Sequence, residues 1–139
     1  MKALILVNNE MTLYNFRQEF LNTLIQNGYE VVISMPSGKY DQLFSEMGCK
    51  IIHTELSMHG MNPFKDFKLP KIYQAIIKKE KPNIVITYTI KPNIYGGVAA
   101  GRCKVPCIST VTGLGAAFEK GWLISKISYL LYRIGTRKT

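Results

Sequence analysis

Short apolar runs alternate along this chain with longer stretches in which apolar residues recur every three or four positions. Lys2–Val7 is apolar almost throughout, the pattern of a strand covered on both faces. From Tyr14 to Asn27, Phe16, Phe20, Leu21, Leu24 and Ile25 fall on one helical face, and Gly28 supplies the stop. Glu30–Met35 predicts a second strand. Pro36-Ser37-Gly38 turns the chain into a helix over Tyr40–Met47, closed by Gly48. Lys50–His53 predicts a third strand, followed by a long loop from Glu55 to Phe64 and a helix over Phe67–Glu80. A strand at Asn83–Thr87, a small-residue helix at Asn93–Arg102, a strand at Pro106–Thr110 and a helix at Gly121–Arg133 complete the pattern. Strict strand–helix alternation predicts an α/β fold with a parallel sheet and helices on both faces. Right-handed crossovers then give a doubly wound, Rossmann-like sheet of order 3-2-1-4-5, in one domain over residues 1–139.

Composition supports a folded domain. The chain has 139 residues, 47% of them hydrophobic, enough for a sizeable core. No run approaches the roughly 18 apolar residues of a membrane span, and the apolar N-terminus lacks a small-residue cleavage site, so it reads as the first strand. Cys49, Cys103 and Cys107 have no metal-like spacing and read as reduced, buried thiols; no metal site is expected. The net charge of +9 is unevenly spread. Residues 1–62 hold four bases and six acids, a net −2, whereas residues 63–139 hold fourteen bases and three acids, a net +11. Such asymmetry predicts an anionic partner. Zinc-finger, helix-turn-helix and aromatic RNA-binding signatures are all missing, which argues against nucleic acid.

In an open parallel sheet the ligand crevice lies beyond the carboxyl ends of the strands, where the winding reverses. Here that is between strands one and four. The loops there are Asn8-Asn9-Glu10-Met11-Thr12-Leu13 and Tyr88-Thr89-Ile90-Lys91-Pro92, with Val111-Thr112-Gly113-Leu114-Gly115-Ala116 beside them. The first has no glycine cradle for a pyrophosphate, which argues against a dinucleotide cofactor. Asn8 and Asn9 carry amides suited to sugar hydroxyls, and Arg17 stands within reach of a phosphate. Thr112, Gly113, Leu114 and Gly115 form a loop whose backbone amides could hold an anionic oxygen. Lys91 and Asn93 open a helix whose N-terminus favours an anion. His53 reads as structural. His59 sits in the long loop with no assignable carboxylate partner. The last predicted helix carries an apolar band including Trp122, with Lys126, Arg133 and Arg137 as its charges. It fits an interfacial membrane helix and equally a helix packed on a core or another domain.

Four runs carry a resemblance: Leu13-Tyr14-Asn15-Phe16-Arg17, Asn62-Pro63-Phe64-Lys65-Asp66, Thr87-Tyr88-Thr89-Ile90-Lys91-Pro92-Asn93-Ile94-Tyr95-Gly96 and Thr110-Val111-Thr112-Gly113-Leu114-Gly115. Together they resemble the N-terminal domain of glycosyltransferase family 4, in the branch that builds capsular, O-antigen or glycoprotein glycans on polyprenyl-diphosphate carriers. The resemblance implies the acceptor-binding half of a retaining, metal-independent GT-B enzyme. Its nucleotide-sugar donor, a UDP-sugar, would be held mainly by a second domain outside these 139 residues, and this half alone would be inactive. It places Asn8, Asn9, Tyr14, Asn15, Arg17, His59, Tyr88, Thr89, Lys91, Asn93 and Tyr95 on the acceptor wall. It implies a lipid-linked glycan acceptor and a cytoplasmic protein held peripherally on the inner face of the membrane. Two positions depart from the family pattern. The first loop lacks its glycines, and Ile90 stands where many members carry histidine, so no catalytic histidine is assigned. Two alternatives stay open: a non-catalytic, membrane-recruiting subunit, and an enzyme like the sugar-nucleotide 2-epimerases.

Overall fold

The computed structural model describes residues 1–55 and 68–111. Their strands are β1 (Lys2–Leu6), β2 (Glu30–Met35), β3 (Lys50–His53), β4 (Ile84–Tyr88) and β5 (Cys107–Thr110). Their helices are α1 (Glu10–Phe16), α2 (Gln18–Gln26), α3 (Asp41–Glu46), α4 (Leu69–Glu80) and α5 (Gly97–Cys103), and a π-helical turn at Pro92–Gly96 leads into α5. All strand pairs are parallel, in the order β3-β2-β1-β4-β5. The expected doubly wound sheet is therefore present. The expected last helix, the Thr112–Gly115 loop, His59, and the proposed membrane contacts Trp122, Lys126, Arg133 and Arg137 lie outside the described residues.

β1 runs through the middle of the sheet, with Leu4 opposite both Val32 and Val85 and Ile5 opposite both Ile33 and Ile86. Alternate residues point to opposite faces, so β1 feeds two cores. Ile5 and Val7 join Leu13, Leu21, Val31, Ile33, Met35 and Phe44 under α1–α3. Leu4 and Leu6 join Val32, Leu69, Tyr73, Ile77, Val85 and Ala99 under α4 and α5. Gly96 lets the π-helical turn lie flat on this second face: a Cβ there would come within 2.7 Å of Leu6 Cδ1.

The helix expected at Tyr14–Asn27 starts earlier and is broken. Asn9 caps α1 by accepting the Met11 amide proton at 2.9 Å. At Arg17 the backbone leaves the helical region (φ −135°, ψ 5°) and re-enters it for α2. The fold places Cys49 and Cys107 inside, and burial pushes the Cys49 thiol up to about 11.

The end of the sheet where the strands begin is tied by one buried acid. The Glu80 side chain, 3% exposed, closes α4 and accepts Lys50 Nζ at 2.9 Å and Lys2 Nζ at 3.5 Å, and Lys2 also reaches Glu30 at 2.9 Å. The Lys50 ammonium beside it holds the Glu80 carboxyl below its ordinary range against the opposing effect of burial. A depressed folded-state value means that this stability is complete above the unfolded carboxyl value, about 4.3, and is lost as pH falls through the folded one. Glu80→Gln is expected to lower the unfolding free energy near neutral pH by about 2 kcal/mol, the worth of charge-assisted bonds to partly exposed lysines. It should also flatten the loss of stability below pH ~4. Urea melts across pH check both; an unchanged acid limb in the variant would refute the assignment.

Candidate functional site

The crevice forms because the chain leaves β1 toward α1 on one face of the sheet and leaves β4 toward α5 on the other. Its residues come from three places far apart in sequence. Arg17 stands at the corner between α1 and α2, and its guanidinium lies 5.2 Å from the centre of the Tyr88 ring, at the end of β4. Arg17 Nη1 also donates to the Phe16 carbonyl at 3.0 Å. The helix break and this cation–π contact fix the guanidinium at the switch point. Tyr88 is buried, and burial raises its phenol, opposed by Arg17 and Thr110.

Tyr14 stacks on Tyr40, with ring centres 3.9 Å apart, and Lys39 Nζ lies 4.7 Å from the Tyr40 ring. Glu10 is the acid in the first loop, and its carboxylate accepts the Lys39 and Tyr40 amides at 3.2 and 3.0 Å. Those are donors at the start of α3, so Glu10 serves as a brace across the rim. Gly38 leaves room for it: a Cβ there would displace the end of the Glu10 side chain from those amides. Farther along the same rim, His53 Nε2 lies 2.8 Å from Asp41 Oδ2, joining the end of β3 to α3.

On the β4 side, Thr89 has φ 71°, a left-handed conformation that a β-branched residue rarely adopts. Its hydroxyl donates to the Tyr88 carbonyl, and its own carbonyl accepts the Asn93 amide at 3.0 Å. Asn93 is what holds this corner. Its Oδ1 accepts the Thr87 hydroxyl at 2.7 Å and its Nδ2 donates to the Thr110 carbonyl at 2.9 Å. Thr87 Oγ1 also lies 3.0 Å from Ser109 Oγ; since the single Thr87 proton goes to Asn93, Ser109 donates there. Positive φ and a π-helical turn within a few residues mark a strained segment, held by a buried clamp.

The sequence-assigned residues therefore divide. Asn8, Asn9, Tyr14, Arg17, Tyr88 and Thr89 gather along the rim formed by the ends of β1 and β4 and the start of α1. Asn93 turns inward, because its amide completes the β4–β5 corner. Tyr95 packs against the second core and Lys91 is buried, so both stand behind the rim. Asn15 sits on the exposed side of α1. Sequence reasoning missed Lys39, Tyr40 and the Asp41–His53 pair, though Ser37-Gly38 ahead of Asp41 is a readable cap signal: Ser37 Oγ and the Gly38 amide lie 3.3 and 3.4 Å from Asp41 Oδ2.

Thr89→Gly is expected to raise the unfolding free energy by roughly 0.5–1 kcal/mol, strain relief exceeding the added freedom of the unfolded chain. A loss of stability in urea melts would show that Thr89 is unstrained. Gly38→Ala is expected to cost about 1 kcal/mol through the displaced Glu10 carboxylate and to cost clearly less in a Glu10→Ala background. A double-mutant cycle with no coupling would dismiss the brace.

Comparison with known proteins bears on the fold and the family. The chain is 25% identical over 122 residues to the N,N'-diacetylbacillosaminyl-diphospho-undecaprenol alpha-1,3-N-acetylgalactosaminyltransferase of Campylobacter jejuni, covering 86% of this chain and 32% of that enzyme. It thus spans about a third of that relative's length. Among solved structures it superposes on the UDP-GlcNAc 2-epimerase of Neisseria meningitidis with a TM-score of 0.67 and 14% identity, over 98% of this chain and 39% of that one. A glycosyltransferase of Rickettsia africae gives 0.65 at 20% identity, over 99% and 41%. MurG of Acinetobacter baumannii gives 0.62 at 20%, over 91% and 39%. These likenesses show a shared fold. The family described as glycosyl transferase 4-like matches residues 2–139, and the chain belongs to that family.

Proposed function

We propose that this domain is the acceptor-binding wall of a retaining glycosyltransferase that moves a sugar from a UDP-sugar to a polyprenyl-diphosphate-linked glycan. The observation that carries the reading is the Arg17 guanidinium, fixed on the Tyr88 ring at the switch point. A planar cation held there suits bidentate contact with a diphosphate, and contacts to sugar hydroxyls would add to it. Asn9 spends its carbonyl on capping α1, so its NH2 group is the part left to donate to a hydroxyl, next to Asn8. Family membership supports sugar transfer, and the Campylobacter relative is named for a diphospho-undecaprenol acceptor.

The acceptor's polyprenyl chain places the reaction at a membrane, on the cytoplasmic side where nucleotide sugars are made. The donor and its leaving diphosphate fall to a second domain, with the amides of Thr112–Gly115 in sequence after β5 contributing charge stabilisation. Glu10 favours transfer over epimerisation: the acid that a proton-abstracting reaction would need here is committed to the Lys39 and Tyr40 amides.

In the full-length protein, Arg17→Ala is expected to lower kcat/KM for the lipid-linked acceptor roughly 10- to 100-fold, the worth of one charge-assisted contact. The KM for the UDP-sugar should stay unchanged. Arg17→Lys should recover little, because an ammonium cannot make the bidentate contact. A defect confined to the donor, or epimerised or hydrolysed sugar nucleotide as the main product, would overturn the reading.

A further inference from the structure

The helices that lead back into the sheet close in two different ways. α2 and α3, which expose Glu19 and Glu46, are followed by Gly28 and Gly48, with φ 77° and 93°. Glycine takes the left-handed position after a helix without steric cost. α4 and α5 are followed instead by Lys81 and Lys104, with φ 49° and 57°. Both lysines stand on one open hollow of about 430 Å³ where the α4–β4 and α5–β5 turns meet, and Lys78 and Arg102 complete its cationic rim. All four are exposed, while Ile77, Cys103 and Val105 beneath them are buried or half-buried. Among the described residues no acid pairs with any of the four. Glu80, next in the chain to Lys81, is turned inward onto Lys50 and Lys2.

Helix stability accounts for part of this basicity. Lys78, Lys79 and Arg102 lie in the last turns of their helices, where cations offset the dipole. That benefit is already supplied there, so it leaves Lys81 and Lys104 unexplained at positions whose backbone favours glycine. The hollow also separates two chemistries, with an apolar floor and cations only at its edge. The closing carbonyls of α4 and α5 bring partial negative charge to it, which disfavours a compact phosphate at the floor. What fits is an apolar group at the centre with acids on either side.

We infer that the hollow docks an acidic amphipathic segment of a partner protein, with an apolar side chain on Cys103 and Val105 and its carboxylates on Lys78, Lys81, Arg102 and Lys104. An apolar centre inside a charged, solvated rim is the build of a protein–protein interface. A bilayer is flat and would leave a concave floor uncovered. Single-stranded nucleic acid asks for exposed aromatic platforms, and among the described residues the hollow has none. A site of this size takes one segment of chain, which makes for a weak, reversible contact steered by charge. The hollow lies where the strands begin, at the end of the sheet away from the crevice, so an occupant leaves the acceptor rim open. The inference does not depend on sugar transfer.

Fluorescence anisotropy of short labelled peptides on the full-length protein tests it. A glutamate–leucine peptide is expected to bind, and to weaken as salt rises above about 0.15 M. Glutamine–leucine and glutamate–serine peptides of equal length should bind roughly 10-fold more weakly, lacking the ion pairs or the apolar contact. Bound peptide should protect Cys103 from iodoacetamide, read by peptide mass mapping, and leave the buried Cys49 and Cys107 unaffected. The variant Lys81→Gly with Lys104→Gly is decisive, because glycine suits both backbones. Its thermal unfolding should hold or rise, and its affinity for the peptide should fall roughly 10-fold, the worth of two exposed ion pairs. Its acceptor turnover should be unchanged, whereas Arg17→Ala should lose turnover and keep the peptide, so the two proposals fail separately. Equal binding of the three peptides, undiminished affinity in the glycine variant, or Cys103 labelling indifferent to the peptide would each overturn the inference. So would a peptide that fails to bind while phosphatidylglycerol vesicles bind and are lost in the glycine variant, the outcome for a lipid occupant.

Discussion

Everything in this domain depends on β1 being paired on both edges and covered on both faces. Its backbone is committed to β2 on one side and β4 on the other, and its side chains alternate between two cores. A strand so enclosed has to be apolar throughout, which Ala3 to Val7 are. Parallel pairing on both sides forces the connections after β1 and β4 to diverge, since each must cross with the same hand. The crevice is the gap that this divergence leaves. It arises from topology, before any residue specialises it.

That origin explains what could be read from the chain. The sheet order and both helical layers followed from apolar periodicity, because burial on one or two faces leaves a linear trace. Helix boundaries were less legible. The start of α1 depends on an asparagine cap, and its break depends on Arg17 turning toward Tyr88, a residue brought near only by the β1–β4 pairing. The rim contacts have the same character: Glu10 with Lys39 and Tyr40, and Asp41 with His53, join different crossovers and leave no periodic signal. Asn93 shows the converse case. A polar residue opening a helix at the sheet's functional end reads as a ligand contact, yet its two amide atoms close the β4–β5 corner.

The two ends of the sheet have been given different tasks. Where the strands begin, polar chemistry is fully compensated: Glu80 gathers two lysines, and Lys2 pairs with Asn83 through backbone and side chain. Where they end, the structure tolerates cost. Thr89 adopts a conformation suited to glycine, and the helix that follows begins with a wide turn. Such cost persists only if neighbours over-determine it, and Asn93, bound to Thr87 and Thr110, is the neighbour that does so. A residue deep in the fold thereby controls the shape of the rim without reaching it.

The charge asymmetry gains its meaning from the same winding. Along the sequence it is a contrast between the first and second halves of the chain, compatible with any anionic partner. Doubly wound topology sends α1–α3 to one face and α4–α5 to the other, so among the described residues the contrast becomes two opposed layers. Glu80 completes the separation: buried under α4, it removes from that layer the one acid its sequence contains and leaves lysine and arginine as its exposed charges. A cation at the crevice is a different matter. Arg17 belongs to the acidic layer and is held by the Tyr88 ring and the Phe16 carbonyl, as suits a contact with one ligand of fixed geometry.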